Sequence, residues 1–312
     1  MLPFKLVYHK GYDLNLGGHV FPSEKFRLIA EALVREGVAA HEDFLTPDPA
    51  ADEDILHVHT AEWVHKLKTG TLTASEIMKL EIPYSREAVE ACWLAAGGSI
   101  LAGQSALRDG FGCNLGGGFH HAYPGHGEGF CAIHDVAVAI RRLQKDGAIR
   151  KAIVVDTDVH QGNGTAAIFT DDDSVFTLSI HQENNYPAYK PPSDLDLEMA
   201  DRVDDDEYLG TLIPAAQSAL DEFRPEILFY VGGADPFCED QLGGLSLTKN
   251  GLKTRDRKVF EEARRRGIPV ATTLAGGYAR RIDDTIRIHV NTIVAACEVA
   301  HAFPSVSVAG QK

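Results

Sequence analysis

Short, unbroken apolar runs alternate along this chain with longer stretches in which apolar residues recur every three or four positions. The runs at 5–9, 153–155, 175–180, 227–231 and 270–274 consist mostly of apolar and β-branched residues. Continuous hydrophobicity over strand length marks strands buried on both faces, as in a parallel sheet. Between the runs, 23–36, 86–108, 135–145, 206–223, 248–266 and 283–302 have helical spacing, and several open on Ser, Thr or Asp. Such side chains accept the free N–H groups of a first helical turn. Strands and helices in alternation predict an α/β fold, a three-layer sandwich with a mainly parallel central sheet. No internal repeat, low-complexity tract or Pro/Ser-rich linker breaks the pattern, and acidic 201–207 reads as a loop entering a helix cap. Residues 1–312 are therefore expected to form one domain.

In open parallel sheets ligands bind beyond the carboxyl ends of the strands, so what each run delivers there is the decisive question. The run at 153–155 delivers Asp156, Asp158 and His160, and the run ending at 180 delivers His181. The run at 227–231 delivers Gly232-Gly233-Ala234-Asp235, and that at 270–274 delivers Ala275-Gly276-Gly277-Tyr278. Residues i and i+2 of an extended segment share a side, which aims Asp158 and His160 at one point. With Asp235 they make a three-ligand site that leaves a position open, suited to Zn²⁺ and tolerant of Fe²⁺ or Mn²⁺. The competing reading is that 156–160 only caps a helix beginning near Gly164.

Two glycine-rich loops, NLGGGFHHA and YPGHGEGF, surround His120-His121. Adjacent loop histidines are often merely solvated, but beside a metal one imidazole can take a proton from water while the other holds a positive charge. Tyr278, after two glycines, is placed to reach a developing oxyanion. Gly162 to Ala167 fits GxGxxA with Glu183 downstream, the alternative sign of a dinucleotide site. Its glycines begin seven residues past Val155, whereas a dinucleotide loop turns directly from strand to helix. GxSxG, Walker A and HExxH are absent.

A net charge of −15 opposes tight direct binding to nucleic acid and favours a cationic substrate or basic tail. Five scattered cysteines without a CxxC pair read as reduced thiols. The first twelve residues lack the apolar core of a signal peptide, and no segment approaches the roughly 18 apolar residues of a membrane span. A cytoplasmic location is expected.

Taken in order, GFHHA, GEGFC, VDTDVHQGNGT, GGADP, LGGLSL and AGGY resemble the zinc-dependent histone deacetylase superfamily over nearly the whole chain. DVHQGNG, DDDEYL and EDQLGGLSL are most similar to the class IV deacetylases and their bacterial counterparts. The resemblance implies Asp158, His160 and Asp235 as zinc ligands, His120 and His121 as tandem catalytic histidines oriented by Asp156 and Asn163, and Tyr278 as oxyanion donor. It implies an acyl-lysine tunnel walled by Phe130, Tyr186 and Leu242, with Gly129 and Gly277 allowing close approach. It also implies a potassium site at Asp156, Asp158, His160, Ser179 and Ile180. Departures are His134-Asp135 where many class I members have Asn-Asp, Glu81 alone where a rim aspartate is found, and Lys25 in place of an arginine associated with an acetate channel.

The function so implied is hydrolysis of acyl-lysine amides in proteins or peptides, with tolerance for long fatty acyl chains. A small-molecule amidohydrolase acting on acetylated polyamines is the nearest rival. A two-manganese ureohydrolase would need further bridging carboxylates. A non-catalytic acyl-lysine binding module would be expected to lack His120, His121 and Tyr278.

Overall fold

The computed structural model describes residues 2–304. Its strands are β1 (Lys5–Val7), β2 (Phe44–Leu45), β3 (Phe111–Asn114), β4 (Ala152–Asp156), β5 (Val175–Gln182), β6 (Leu195–Met199), β7 (Ile227–Gly232) and β8 (Val270–Leu274). All pair in parallel, in the order β2-β1-β3-β8-β7-β4-β5-β6. The helices are α1 (Lys25–Arg35), α2 (Asp52–Ile55), α3 (Ala61–Thr69), α4 (Ala74–Leu80), α5 (Arg86–Asp109), α6 (Asp135–Lys145), α7 (Asn163–Phe169), α8 (Asp205–Phe223), α9 (Lys249–Arg265) and α10 (Ile282–Ala302).

The sheet has a hydrophobic core on each face, which is why its central strands read as unbroken apolar runs. Ile153 and Val155 of β4 and Leu228 and Tyr230 of β7 pack against the layer formed by α1, α8, α9 and α10. Their neighbours Val154, Phe229 and Val231 face the opposite layer, which is built around α5 and α6 and carries the shorter α2, α3 and α4. This is the three-layer α/β sandwich expected. No described helix is long and apolar enough to cross a membrane.

Three strands differ from expectation. β2 has two residues, too few to carry a pattern. β3 is FGCN, in which Gly112 interrupts the apolar run because a Cβ there would lie 2.0 Å from the Ala102 carbonyl oxygen of α5. β6 is an edge strand, four of its five residues less than fully buried, so its sequence carries charge.

From β4 the chain moves outward to β5 and β6, then returns to β7 on the other side of β4 and continues to β8. The order reverses at the β4/β7 boundary, where the strand ends open a crevice. β8 and β3 lie next in line, so the segments after β4, β7, β8 and β3 meet there.

Candidate functional site

Asp158, His160 and Asp235 each offer a ligand atom, all within 4.8 Å of one another and all on buried residues. The local path is not the extended one expected. β4 stops at Asp156, and the chain turns on its own carboxylates: Asp158 N–H donates to Asp156 Oδ1 (3.1 Å), and His160 N–H donates to Asp158 Oδ1 (3.0 Å). Val159 N–H donates to Asp235 Oδ1 at 2.9 Å, tying the β4 turn to the β7 end. Short acidic side chains competing for nearby amides produce such turns. The helix of the competing reading is also present as α7, but its N-cap, Gly162, has no side chain to cap with.

The donor set fits a divalent cation. Asp235 Oδ2 is buried without a hydrogen-bond partner, which is costly for a carboxylate oxygen unless a cation compensates it. Gly276 leaves that oxygen its space, since a Cβ at this position would sit 1.9 Å from it, and the Gly276 N–H donates to Asp158 Oδ2 at 2.8 Å. Burial and the neighbouring Asp158 push the Asp235 carboxyl upward. Burial works against the His160 imidazolium, but Asp158 and Asp235 outweigh it and raise the pKa to about 10. Negative charge is thus concentrated at a point from which water is excluded.

His120 and His121 lie beside this cluster, their rings 4.0 Å apart. The loop carrying them is anchored by Asp135 at the start of α6, which accepts from the N–H groups of Gly118 (3.1 Å) and Phe119 (2.8 Å). His120 Nδ1 meets Asp156 Oδ2 at 2.6 Å and His121 Nδ1 meets Asn163 Oδ1 at 2.6 Å. The consequences diverge. Burial disfavours both charged rings, but Asp156 and Asp158 lift His120 to about 9. His121 has no carboxylate against it, and burial with the charges of His120 and His160 drives its pKa well down.

A cavity of about 190 Å³ leads to these groups, lined by Glu81, His121, Gly129, Phe130, His160, Asn185, Tyr186, Leu242 and Tyr278. Tyr186 stands edge-on to His121, with centroids 5.0 Å apart at 88°, and Phe130 edge-on to Tyr278 at 6.0 Å and 69°. At Gly129, φ is +53° and a Cβ would fall 2.6 Å from the His121 ring. Gly277 is not in the wall; it packs against Ala234 and Thr285 behind it. Burial pushes the Tyr278 hydroxyl well above its ordinary pKa, so it remains a donor.

Asp156 and Ser179 are register partners on β4 and β5, with Ile180 following. His181 does not join the crevice: it is buried in β5, with Nδ1 3.0 Å from Ser179 Oγ. Lys25 is buried behind the cluster, its ammonium donating to the Ala275 carbonyl, and burial lowers its pKa to about 8 despite Asp235, Asp158 and Asp240. His134 accepts from Ala137 N–H through Nδ1 and so caps α6.

Two carboxylates at the site carry no sequence pattern of their own. Asp240 accepts from Leu242 N–H (2.8 Å), Gly243 N–H (3.0 Å) and Tyr278 N–H (2.7 Å), joining two walls of the cavity. Glu128 accepts from Asn163 Nδ2 at 2.5 Å. Both lie inside segments that stand out in the sequence, EDQLGGLSL and GEGFC, but only the fold shows what they hold.

These elements define an α/β protein of the arginase/deacetylase type. A family model described as Histone deacetylase domain matches residues 19–293, and the chain belongs to that family of deacetylase amidohydrolases. It is 40% identical to an uncharacterized protein of Picosynechococcus over 92% of this chain and 96% of that protein. It is 31% identical to Histone deacetylase 2 of Arabidopsis thaliana, over 90% and 77%. With the acetoin utilization protein AcuC of Bacillus subtilis it shares 29% identity over 83% and 70%. Two solved structures have the same fold. The HD domain of HDA15 gives a TM-score of 0.81 at 23% identity, covering 97% of this chain and 90% of that one. A deacetylase homolog from Aquifex aeolicus gives 0.78 at 24%, covering 95% and 84%.

Proposed function

We propose that this protein hydrolyses the amide of acyl-lysine in proteins or peptides, using a single divalent metal, zinc in the native enzyme, held by Asp158, His160 and Asp235. The observation that carries this reading is the aromatic-walled cavity that ends where those three ligand atoms, His121 and Tyr278 face one another. The metal supplies Lewis-acid polarisation of the acyl carbonyl and a lowered pKa for water. His121, neutral and with Nδ1 engaged by Asn163, takes the water proton at Nε2 and later returns it to the lysine amine. His120, kept cationic by Asp156, stabilises negative charge developing beside it. The Tyr278 hydroxyl donates to the carbonyl oxygen as that oxygen gains charge. Phe130 and Tyr186 hold the lysine methylenes and exclude water, and Leu242 forms the lip.

A monovalent cation, potassium, at Asp156, Asp158, His160, Ser179 and Ile180 belongs to the same reading, as do a class IV assignment and a cytoplasmic setting. The described cysteines are all free thiols, which fits a reducing compartment. A second reading, hydrolysis of acetylated polyamines, is favoured by Glu81, a carboxylate in the cavity wall able to receive a second ammonium group. Mass-spectrometric turnover of one lysine peptide carrying acetyl, octanoyl or myristoyl, beside N-acetylspermidine, separates these readings. Faster turnover of a peptide supports the proposal and its acyl series fixes chain length; turnover of the polyamine alone contradicts it.

A further inference from the structure

An amide side chain can present either its oxygen or its nitrogen to a partner, so Asn163 does not by itself decide how His121 is protonated. Something else must fix it. Asn163 Nδ2 lies 2.5 Å from Glu128 Oε1, and Asn163 Oδ1 lies 2.6 Å from His121 Nδ1. An ionised carboxylate only accepts, so it requires the Asn163 NH₂ on its own side and leaves the amide oxygen facing the imidazole. That oxygen in turn requires a proton on His121 Nδ1 and a bare Nε2.

We propose that Glu128 is the positioning residue of this base: a buried carboxylate that acts through Asn163 to set the tautomer of His121. For its effect on rate, this rests on the hydrolytic role of His121 proposed above; the tautomer itself does not.

The surroundings keep Glu128 in the form the role demands. Its Oε2 is bound by Lys79 Nζ at 2.9 Å and approached by His126 Nε2 at 3.1 Å, while its Oε1 also accepts from the Tyr186 hydroxyl at 3.3 Å. Burial favours the neutral acid, but His126, Lys79 and Asn163 outweigh it and hold the pKa down to about 2. The two oxygens thus divide their work: one faces the base and the tunnel wall, the other the Lys79 ammonium and the His126 ring near the surface. In a water-poor site such a chain also polarises each bond in turn, so that part of the Glu128 charge is felt at His121 one amide away. His120 receives its charge directly from Asp156 and is held as a cation; placing an amide between carboxylate and ring lets His121 remain neutral while still oriented.

The test is ¹⁵N NMR of histidine-labelled, zinc-loaded protein, with the His121 signals assigned by their loss in His121→Gln, alongside peptide turnover. The wild type is expected to show one His121 tautomer, Nδ1–H with Nε2 bare. Glu128→Gln can offer either face to Asn163, so a mixture of tautomers is expected together with a fall in kcat of about 10-fold, the range of outer partners that orient a reacting ligand. Asn163→Asp sets two carboxylates against each other and should lose at least as much. The double variant Asn163→Asp/Glu128→Gln restores an acceptor-only group against His121 and a donor behind it, so the single tautomer and most of the turnover should return, a strongly non-additive cycle. A single Nδ1–H tautomer persisting in Glu128→Gln, or a double variant no better than its parents, overturns the proposal. If the expected tautomers appear while no acyl-lysine or polyamine amide is cleaved, the hydrolytic reading fails and the positioning role stands.

Discussion

His120 and His121 are adjacent in sequence, both buried, with rings 4.0 Å apart, and their surroundings leave one cationic and the other neutral. On the inner side Asp156, from the last position of β4, meets His120 directly and lifts it to about 9. On the outer side an amide, Asn163, stands between His121 and the Glu128 carboxylate, and burial with two neighbouring imidazoles keeps that ring neutral. Two residues of one type are left cationic and neutral because one partner is a carboxylate and the other an amide, which suits them to the stabiliser and base roles proposed above. Pairs of titratable groups driven apart by their environments are how acid and base roles are divided.

The largest effect should come from removing the neutral member. His121→Ala is expected to lower kcat by about 10²–10⁴, the range for a general base, while metal content is retained. Metal analysis beside steady-state kinetics checks both halves. Tyr278→Phe, which removes a donor from the cavity wall that also holds His121, should cost about 10²–10³ in kcat with KM little changed, since the interaction strengthens only as the oxygen gains charge. Equal losses in kcat and substrate affinity would place Tyr278 in ground-state binding instead.

The carboxylate-held member answers to pH. The raised His120 pKa means that its imidazolium persists through neutral pH and is lost as pH rises through about 9, so kcat/KM should fall on that alkaline limb. Asp156→Asn removes the holding charge, should move that limb toward neutrality, and should lower the rate at pH 8 by about 10–100-fold. A pH–rate series on both proteins decides it. The smallest effect concerns stability. Glu128, depressed to about 2, contributes fully above its unfolded value near 4.5 and loses that contribution as pH falls through 2. The difference in urea midpoint between wild type and Glu128→Gln should therefore be largest near neutral pH and shrink on acidification from pH 5 to pH 2.

The same contrast describes what was legible in the sequence. The inner side lies at strand ends, where one hydrophobic run stops on Asp156 and another three residues before Asp235, so locating the runs located the carboxylates. The turn at 157–160 was not legible, because it is made by backbone N–H groups donating to the Asp158 and Asp235 carboxylates, which a period-two reading ignores. The outer side comes from loops. Glu128 reaches Asn163 across 35 positions and Asp240 reaches Tyr278 across 38, and nothing in local spacing announces either contact. The long helices matched expectation to within about two residues at each end, because each buries a continuous apolar face. β3 and β6 escaped it because one is thinned by a glycine that admits α5 and the other is an edge.

The proposed hydrolysis depends most on one metal acting through Asp158, His160 and Asp235, and titration of metal-stripped protein tests that directly. Zinc is added in substoichiometric steps to wild type and to Asp235→Asn, and release of acetate from an acetyl-lysine peptide is followed at each step. A single-metal site predicts negligible release without metal, a linear rise that saturates at one equivalent in the wild type, and a loss of at least about 10²-fold in Asp235→Asn at the same zinc. Full release from stripped protein, saturation at two equivalents, or an Asp235→Asn titration that overlies the wild type would contradict it.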